Sequence, residues 1–175
     1  MNGFWASVCP GAPHTAYSAA KFAVKGFSEA LVTDLRLNAP HIKVSVVMPG
    51  HVCTGFRVNS LKVQTSNDSD QLDARQIAQA RARLASMGKD PSALSDDEVK
   101  AMLAERARRF LLDAPTSAAE AAAIILEGVK ADRWRILVGS DAHLMDRMVR
   151  DDPEHAYEEQ FFARFAAAAG WHPGR

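Results

Sequence analysis

Apolar residues near the start of the chain change from a helical spacing to a strand spacing. Over residues 17–38, bulky apolar side chains recur every three or four positions, which is typical of one face of an α-helix. The helical pattern ends before Pro40, because a proline disfavours the α region for the residue that precedes it. A β-branched run over residues 42–48 follows and ends almost wholly apolar. We predict a helix with Thr15 as its N-cap, and then a strand that is covered on both faces.

The predicted helix has two different packing faces. We expect its bulky stripe to face the core, and this stripe consists of Ala20, Val24, Phe27, Leu31 and Leu35. A second stripe contains only small residues, Ala19, Ala23, Gly26 and Ala30. Small residues let another backbone come close, so such a helix is expected inside a layered domain or at a subunit contact.

Two further helices are predicted in the middle of the chain, after a polar loop. The first spans residues 72–87 and ends at Gly88, with inward positions Leu72, Ile77, Leu84 and Met87. The second begins with a capping box formed by Ser95 and Glu98. Its apolar face consists of Val99, Met102, Leu103, Phe110 and Leu111. We expect these apolar faces to pack on the domain or on a partner subunit.

The last part of the chain has the pattern of a helix–strand unit followed by two helices. Ser117 and Glu120 form a second capping box, which begins a helix that ends near Lys130. Its predicted core side consists of Ile124, Ile125 and Val129. A short strand over residues 134–138 follows, then a helix over 142–150 and a final helix that carries Phe161, Phe162 and Phe165.

This order of elements predicts an α/β fold, namely the C-terminal portion of a doubly wound, Rossmann-like parallel sheet with extra helices. We predict a single incomplete domain over residues 1–175. Its parts are 1–56, with the first helix and strand, 57–114, a helical insert, and 115–175, the last helix–strand unit and the C-terminal helices.

Composition narrows the class of protein. The 175 residues include 21 basic and 21 acidic side chains, so a zero net charge gives no reason to expect a nucleic-acid or membrane partner. No apolar run approaches the roughly 18 residues of a membrane-spanning helix. The two cysteines, Cys9 and Cys53, lie far apart and are expected to be free thiols. We expect a cytoplasmic protein without a metal site.

The candidate chemistry lies at the start of the first helix. Tyr17 and Lys21 are four residues apart, so their side chains share one helix face. A free tyrosine titrates near pH 10, and a nearby ammonium favours the phenolate by about 1–3 pKa units. Such a pair suits a general acid/base that exchanges a proton with a hydroxyl or carbonyl. The same spacing also occurs by chance on solvated helix faces.

The predicted strand ends at Pro49 and Gly50. In open α/β sheets, ligands bind beyond the carboxyl ends of parallel strands, which is where residues 49–54 are expected.

Two stretches, Tyr17-Ser-Ala-Ala-Lys21 and Pro49-Gly50-His-Val-Cys-Thr54, together resemble the short-chain dehydrogenase/reductase family. The resemblance implies a Rossmann fold, an NAD or NADP cofactor and a small-molecule alcohol or carbonyl substrate. It implies that Tyr17 is the catalytic acid/base, and that Lys21 binds the nicotinamide ribose and lowers the pKa of Tyr17. Residues implied to hold the nicotinamide end are Pro49, Gly50, Val52 and Thr54. The two middle helices would, by the same resemblance, form an apolar lid over the substrate. We also expect a homo-oligomer in the full-length form.

The sequence departs from the family at its start. The first residues resemble the tail of the family's Ser-Ser-x-x-Gly stretch, so the catalytic serine would precede Met1, and the spacing of Ser7 does not match. The Gly-x-Gly-x-x-Gly motif of the nucleotide half is also missing. One hypothesis is an N-terminally truncated enzyme. The alternative is a non-catalytic remnant that acts as an assembly piece. A sugar-nucleotide epimerase shares the tyrosine–lysine pair, but the Pro49–Thr54 stretch resembles the dehydrogenase pattern better.

Overall fold

The computed structural model describes residues 15–55, 74–86, 90 and 93–170. The chain divides into two compact units, one formed by Met1–Val52 with Ala114–Arg175 and the other by Cys53–Asp113. In the first unit the helices are α1 (Thr15–Asn38), α4 (Ala118–Lys130), α5 (Ser140–Asp151) and α6 (Glu159–Ala169). Its strands are β1 (Val46–Pro49), β3 (Thr116–Ser117) and β4 (Arg135–Val138), and β2 (Val52–Cys53) lies at the boundary. The prediction of one domain in three parts stays a prediction.

Strands β1 and β4 pair in parallel, with Val46 opposite Arg135 and Pro49 opposite Val138. Parallel strands connected through helices confirm the predicted α/β class, and the small sheet is consistent with part of a Rossmann-like fold. The first strand is shorter than predicted, since it begins at Val46 and Ile42 is 49% exposed. The reason is that β4 has only four residues, so the ladder offers no partner to the residues before Val46.

Helix α4 packs against β4 and begins at the predicted capping box. The Ser117 side chain accepts a hydrogen bond from the Glu120 backbone, and the Glu120 carboxylate accepts one from the Ser117 backbone. At the other end, Gly128 lies against Ile136, where an added Cβ would come within 2.6 Å of the Ile136 side chain. A glycine therefore sets the distance between helix and strand.

The core side of α4 differs from the prediction. Ile125 packs on the buried cluster of Ala121, Ile136 and Val138, as expected, but Ile124 and Val129 are exposed. The buried face instead follows Ala121, Ile125 and Gly128, because the close approach at the glycine turns that side of the helix towards β4.

Helices α5 and α6 enclose the largest apolar cluster of the described residues. Its buried members are Met145, Ala156, Phe161, Phe162, Phe165 and Ala166. The three phenylalanines that the sequence places on the final helix are thus buried within this unit. Helix α6 begins at Glu159.

The predicted core face of α1 is wrong for three of its five residues. Ala20, Val24 and Phe27 are exposed, with Phe27 at 68%, whereas Leu31 and Leu35 are half-buried. Ser18 is the buried residue of this helix. A helix of 24 residues is about 36 Å long. The four-residue strands β1 and β4 are only about 13 Å long, so they cannot cover its whole length. The apolar stripe of α1 therefore extends beyond the part of the sheet that the structure describes.

The second unit contains α2 (Ala74–Ser86) and α3 (Asp96–Leu112), which pack together. Both predicted helices are confirmed, with Ile77, Leu84 and Val99 buried and the capping box at Ser95 formed. The predicted positions Leu72, Met87 and Gly88 and the side chain of Phe110 lie outside the described residues. The substrate lid stays a prediction.

Among the residues that the structure describes, none of the helices has both the length and the apolar character needed to cross a bilayer.

Candidate active site

Tyr17 lies in the first turn of α1, and Lys21 follows it one turn later. The Lys21 ammonium nitrogen lies over the Tyr17 ring, 5.0 Å from its centroid. A cation at this distance is attracted by the negative face of the ring. The Tyr17 side chain is 44% exposed, so its phenol is open to solvent while the ammonium covers one face of the ring. The helix thus brings the two predicted catalytic side chains together.

Partial burial raises the pKa of the Tyr17 phenol above its ordinary value. This direction is opposite to the depression that the sequence led us to expect from Lys21. The physical reason is that the loss of water around the phenol disfavours the charged phenolate. The phenol therefore keeps its proton at neutral pH and can donate it.

The second part of the candidate site is the bend that follows β1. The Gly50 backbone N–H donates a 2.8 Å hydrogen bond to the Val138 carbonyl, so the pairing of β1 with β4 continues one residue beyond Pro49. Both strands end here, and this carboxyl edge is where parallel sheets bind ligands. We call Pro49, Gly50 and His51 the 49–51 bend.

A buried carboxylate holds the bend. Asp141 is 1% exposed, and its Oδ2 accepts a 2.6 Å hydrogen bond from the backbone N–H of His51. Its Oδ1 accepts a 3.0 Å bond from the backbone N–H of Ala142. Burial raises the pKa of Asp141, although these two backbone hydrogen bonds act in the opposite direction. The carboxylate connects the start of α5 to the end of β1.

Sequence reasoning missed this role of Asp141. The available signal was an acidic residue in the first turn of a helix that directly follows a buried strand. Its partner, the His51 backbone, could not be identified from sequence because it lies 90 residues away.

The remaining predicted cofactor residues lie after the bend. Val52 is half-buried in β2 and packs against the cluster of Ala121, Ile136 and Val138. Thr54 is exposed and belongs to the second unit. The roles of all six predicted site residues in catalysis and cofactor binding stay predictions.

The chemistry of these groups suits a nicotinamide nucleotide. The Tyr17 hydroxyl and the Lys21 ammonium are donors for ribose hydroxyls, and the carboxyl edge of the sheet is where such a ligand would lie. Within the described parts of the chain, no group of three or more His, Cys, Asp or Glu side chains could hold a metal ion.

Comparisons with known proteins found matches over the part of the chain that contains these residues. Residues 5–64 match the family model described as short chain dehydrogenase. A 59-residue segment is 46% identical to a 3-ketodihydrosphingosine reductase of Bacteroides thetaiotaomicron (strain VPI-5482), and it covers 33% of this chain and 21% of the relative. The match thus spans about a fifth of the length of that curated relative. No solved structure matches the chain significantly. This part of the chain, which contains the first helix, the strand and the bend, is thus similar to the short-chain dehydrogenase/reductase family.

Proposed function

We propose that this chain belongs to an NAD(P)-dependent oxidoreductase in which hydride passes between the nicotinamide and an alcohol or ketone. The observation that carries the proposal is the position of the Lys21 ammonium over the Tyr17 ring. The similarity of residues 5–64 to the short-chain dehydrogenase family supports the same reaction class. Tyr17 is the general acid/base, and Lys21 binds the nicotinamide ribose.

The protonated form of Tyr17 suits the role of general acid in the reduction of a ketone. When bound, the cofactor supplies the hydride. Because burial raises the pKa of the phenol, Tyr17 holds the proton that a carbonyl oxygen needs as it becomes a hydroxyl. The name of the curated relative, a 3-keto reductase, agrees with this direction for that protein.

Lys21 has two roles in this proposal. Its ammonium covers one face of the phenol ring and fixes the side-chain orientation, and it donates to the ribose hydroxyls of the cofactor. The positive charge also stabilises the phenolate that forms transiently when the proton leaves. Pro49, Gly50, Val52 and Thr54 hold the nicotinamide end, and the substrate is a small alcohol or carbonyl compound.

In this proposal the reaction takes place in the cytoplasm, and the enzyme acts as a homo-oligomer. The exposed apolar side chains of α1, which include Phe22, Phe27 and Leu37, support a packing partner for this helix. The same observation favours the second function that we consider, a non-catalytic assembly piece that uses the α1 face.

Cofactor titration separates the two functions. NADH and NADPH are titrated into the purified chain, binding is followed by nicotinamide fluorescence, and turnover is then measured with a panel of ketones and alcohols. The oxidoreductase predicts saturable binding of at least one cofactor and turnover of a carbonyl substrate. A folded chain that binds neither cofactor and forms a stable complex through α1 would instead support the assembly piece.

A further inference from the structure

The Asp141 carboxylate does more than cap its own helix. An acidic residue in the first turn of a helix commonly accepts bonds from the backbone of that turn, as Oδ1 does from Ala142. Its other oxygen, Oδ2, accepts the shorter bond, 2.6 Å, from the His51 backbone at the far end of β1. A helix cap alone would not require this second bond.

The Asp141 carboxylate fits into this position because Gly50 and Gly139, which lie against it, have no side chains. A Cβ added to Gly50 would lie 2.1 Å from Oδ1 of Asp141, and one added to Gly139 would lie 2.6 Å from the same oxygen. Gly139 also has a φ of +97°, which side chains with a Cβ rarely adopt. On its other side, the added Cβ at Gly139 would come within 2.7 Å of the Thr116 hydroxyl oxygen, and Thr116 is buried. The carboxylate is therefore enclosed, and the 49–51 bend has little freedom to move past it.

We propose that Asp141 is a positioning residue for the cofactor, because it fixes the 49–51 bend at the edge of the sheet where the nicotinamide binds. The inference rests on the proposed function for its cofactor part. Asp141 acts through the backbone of Gly50 and His51 and does not touch the reacting atoms. The bend is ordered before the cofactor arrives, so less entropy is lost on binding.

The first test measures the order of the bend without any cofactor. Amide hydrogen exchange of residues 50–53 is followed by mass spectrometry in the wild type, Asp141→Ala and Asp141→Asn. The alanine variant loses both acceptor oxygens, and we expect exchange to accelerate about tenfold or more in this segment. The asparagine variant keeps one acceptor oxygen for two backbone donors, and it should give an intermediate rate.

Asp146→Asn is the matched control. Asp146 lies on the same helix and is also buried, but its carboxylate pairs with Arg135 and Arg150 rather than with the bend. This variant should lower the stability of the unit without a selective effect on residues 50–53. If Asp141→Ala does not fold, Gly50→Ala replaces it, since the added methyl group displaces the bend from an intact carboxylate.

The second test measures the affinity for NADH and NADPH. Asp141→Ala should weaken cofactor binding about tenfold, Asp141→Asn should weaken it less, and Asp146→Asn should leave it unchanged. Equal exchange of residues 50–53 in the wild type, Asp141→Ala and Gly50→Ala would overturn the positioning role. A wild type that binds no cofactor would overturn the proposed function and the cofactor part of this inference, while the exchange result would still decide whether Asp141 orders the bend.

Discussion

The ammonium of Lys21 lies 5.0 Å from the centre of the Tyr17 ring, over its face and one helical turn along α1. The structure therefore brings the two residues into contact, but the pKa of the phenol is raised by burial rather than lowered. Tyr17 is therefore a protonated phenol that lies beside a positive charge. Substitutions of Tyr17 and of Lys21 should have different effects on turnover and on its pH dependence, and these effects can be measured.

Replacement of Tyr17 by phenylalanine should reduce kcat about 10²- to 10⁴-fold, because the proton donor is lost. Cofactor affinity should change little, since the ring that faces Lys21 remains. The chain contains one other tyrosine, Tyr157, which is exposed and serves as the control. Steady-state kinetics of Tyr17→Phe and Tyr157→Phe check this, and undiminished turnover in Tyr17→Phe would contradict the assigned role.

Replacement of Lys21 by methionine should weaken cofactor binding. It should also shift the basic limb of the pH–rate profile to higher pH by about one pH unit, because the loss of a positive charge beside the phenol raises the pKa of Tyr17. Lys25→Met is the matched control, since Lys25 lies one turn further along α1 and pairs with Glu29 at 2.7 Å. The measurement is kcat/KM as a function of pH for both variants. Identical profiles for the two would show that Lys21 has no special effect on Tyr17.

The two buried aspartates of α5 should influence stability in opposite directions as the pH changes. Burial raises the folded-state pKa of Asp141 above its ordinary value of 3.8, so its contribution is present below that value and is lost as the pH rises through the folded pKa. Burial would also raise the pKa of Asp146, but hydrogen bonds from Arg135 and Arg150 outweigh it and lower the pKa. The contribution of Asp146 is therefore present above 3.8 and is lost as the pH falls.

Urea unfolding at about pH 4 and about pH 7 checks these signs. Relative to Asp141→Asn, the wild type should lose stability as the pH rises between the two conditions. Relative to Asp146→Asn, the wild type should gain stability over the same interval. The difference in unfolding free energy between the wild type and each variant should therefore change with pH in opposite directions. A change in the same direction for both variants would show that the charge environments of the two carboxylates do not differ as described.

Two glycines on helices should respond in opposite ways to alanine. Gly128→Ala places a methyl group within 2.6 Å of the Ile136 side chain, and this overpacking should lower the free energy of unfolding by about 1–3 kcal/mol. Gly26→Ala meets nothing within 4 Å, so the better helix propensity of alanine should stabilise the same unit by about 1 kcal/mol. Chemical denaturation of both variants measures the difference. A tolerated Gly128→Ala would mean that α4 does not lie this close to β4.

The predictions from sequence were most accurate for structural features that depend on interactions between residues close together in the chain. The capping boxes at Ser95 and Ser117 and the end of α1 before Pro40 depend on neighbouring side chains, and the structure has them where expected. The Tyr17–Lys21 contact is of the same kind, because a helix brings residues four apart together.

Features that depend on distant partners were missed or wrong. The exposure of Phe27 depends on how much sheet lies beneath α1, and the buried face of α4 depends on how Gly128 meets Ile136. The bond between Asp141 and the His51 backbone joins residues that no local pattern relates. The raised pKa of Tyr17 likewise comes from its surroundings and not from its spacing to Lys21.

The parallel pairing of β1 and β4 has a consequence for biosynthesis. The hydrogen bond from the Ser45 hydroxyl to the Arg133 carbonyl, at the edge of this pairing, joins residues 88 positions apart. At roughly 5–20 residues per second, a ribosome needs on the order of 10 s to make the intervening chain. During this delay the apolar side chains of β1 lack the support of β4, so this segment of the nascent polypeptide is accessible to chaperones and prone to aggregation until β4 has emerged.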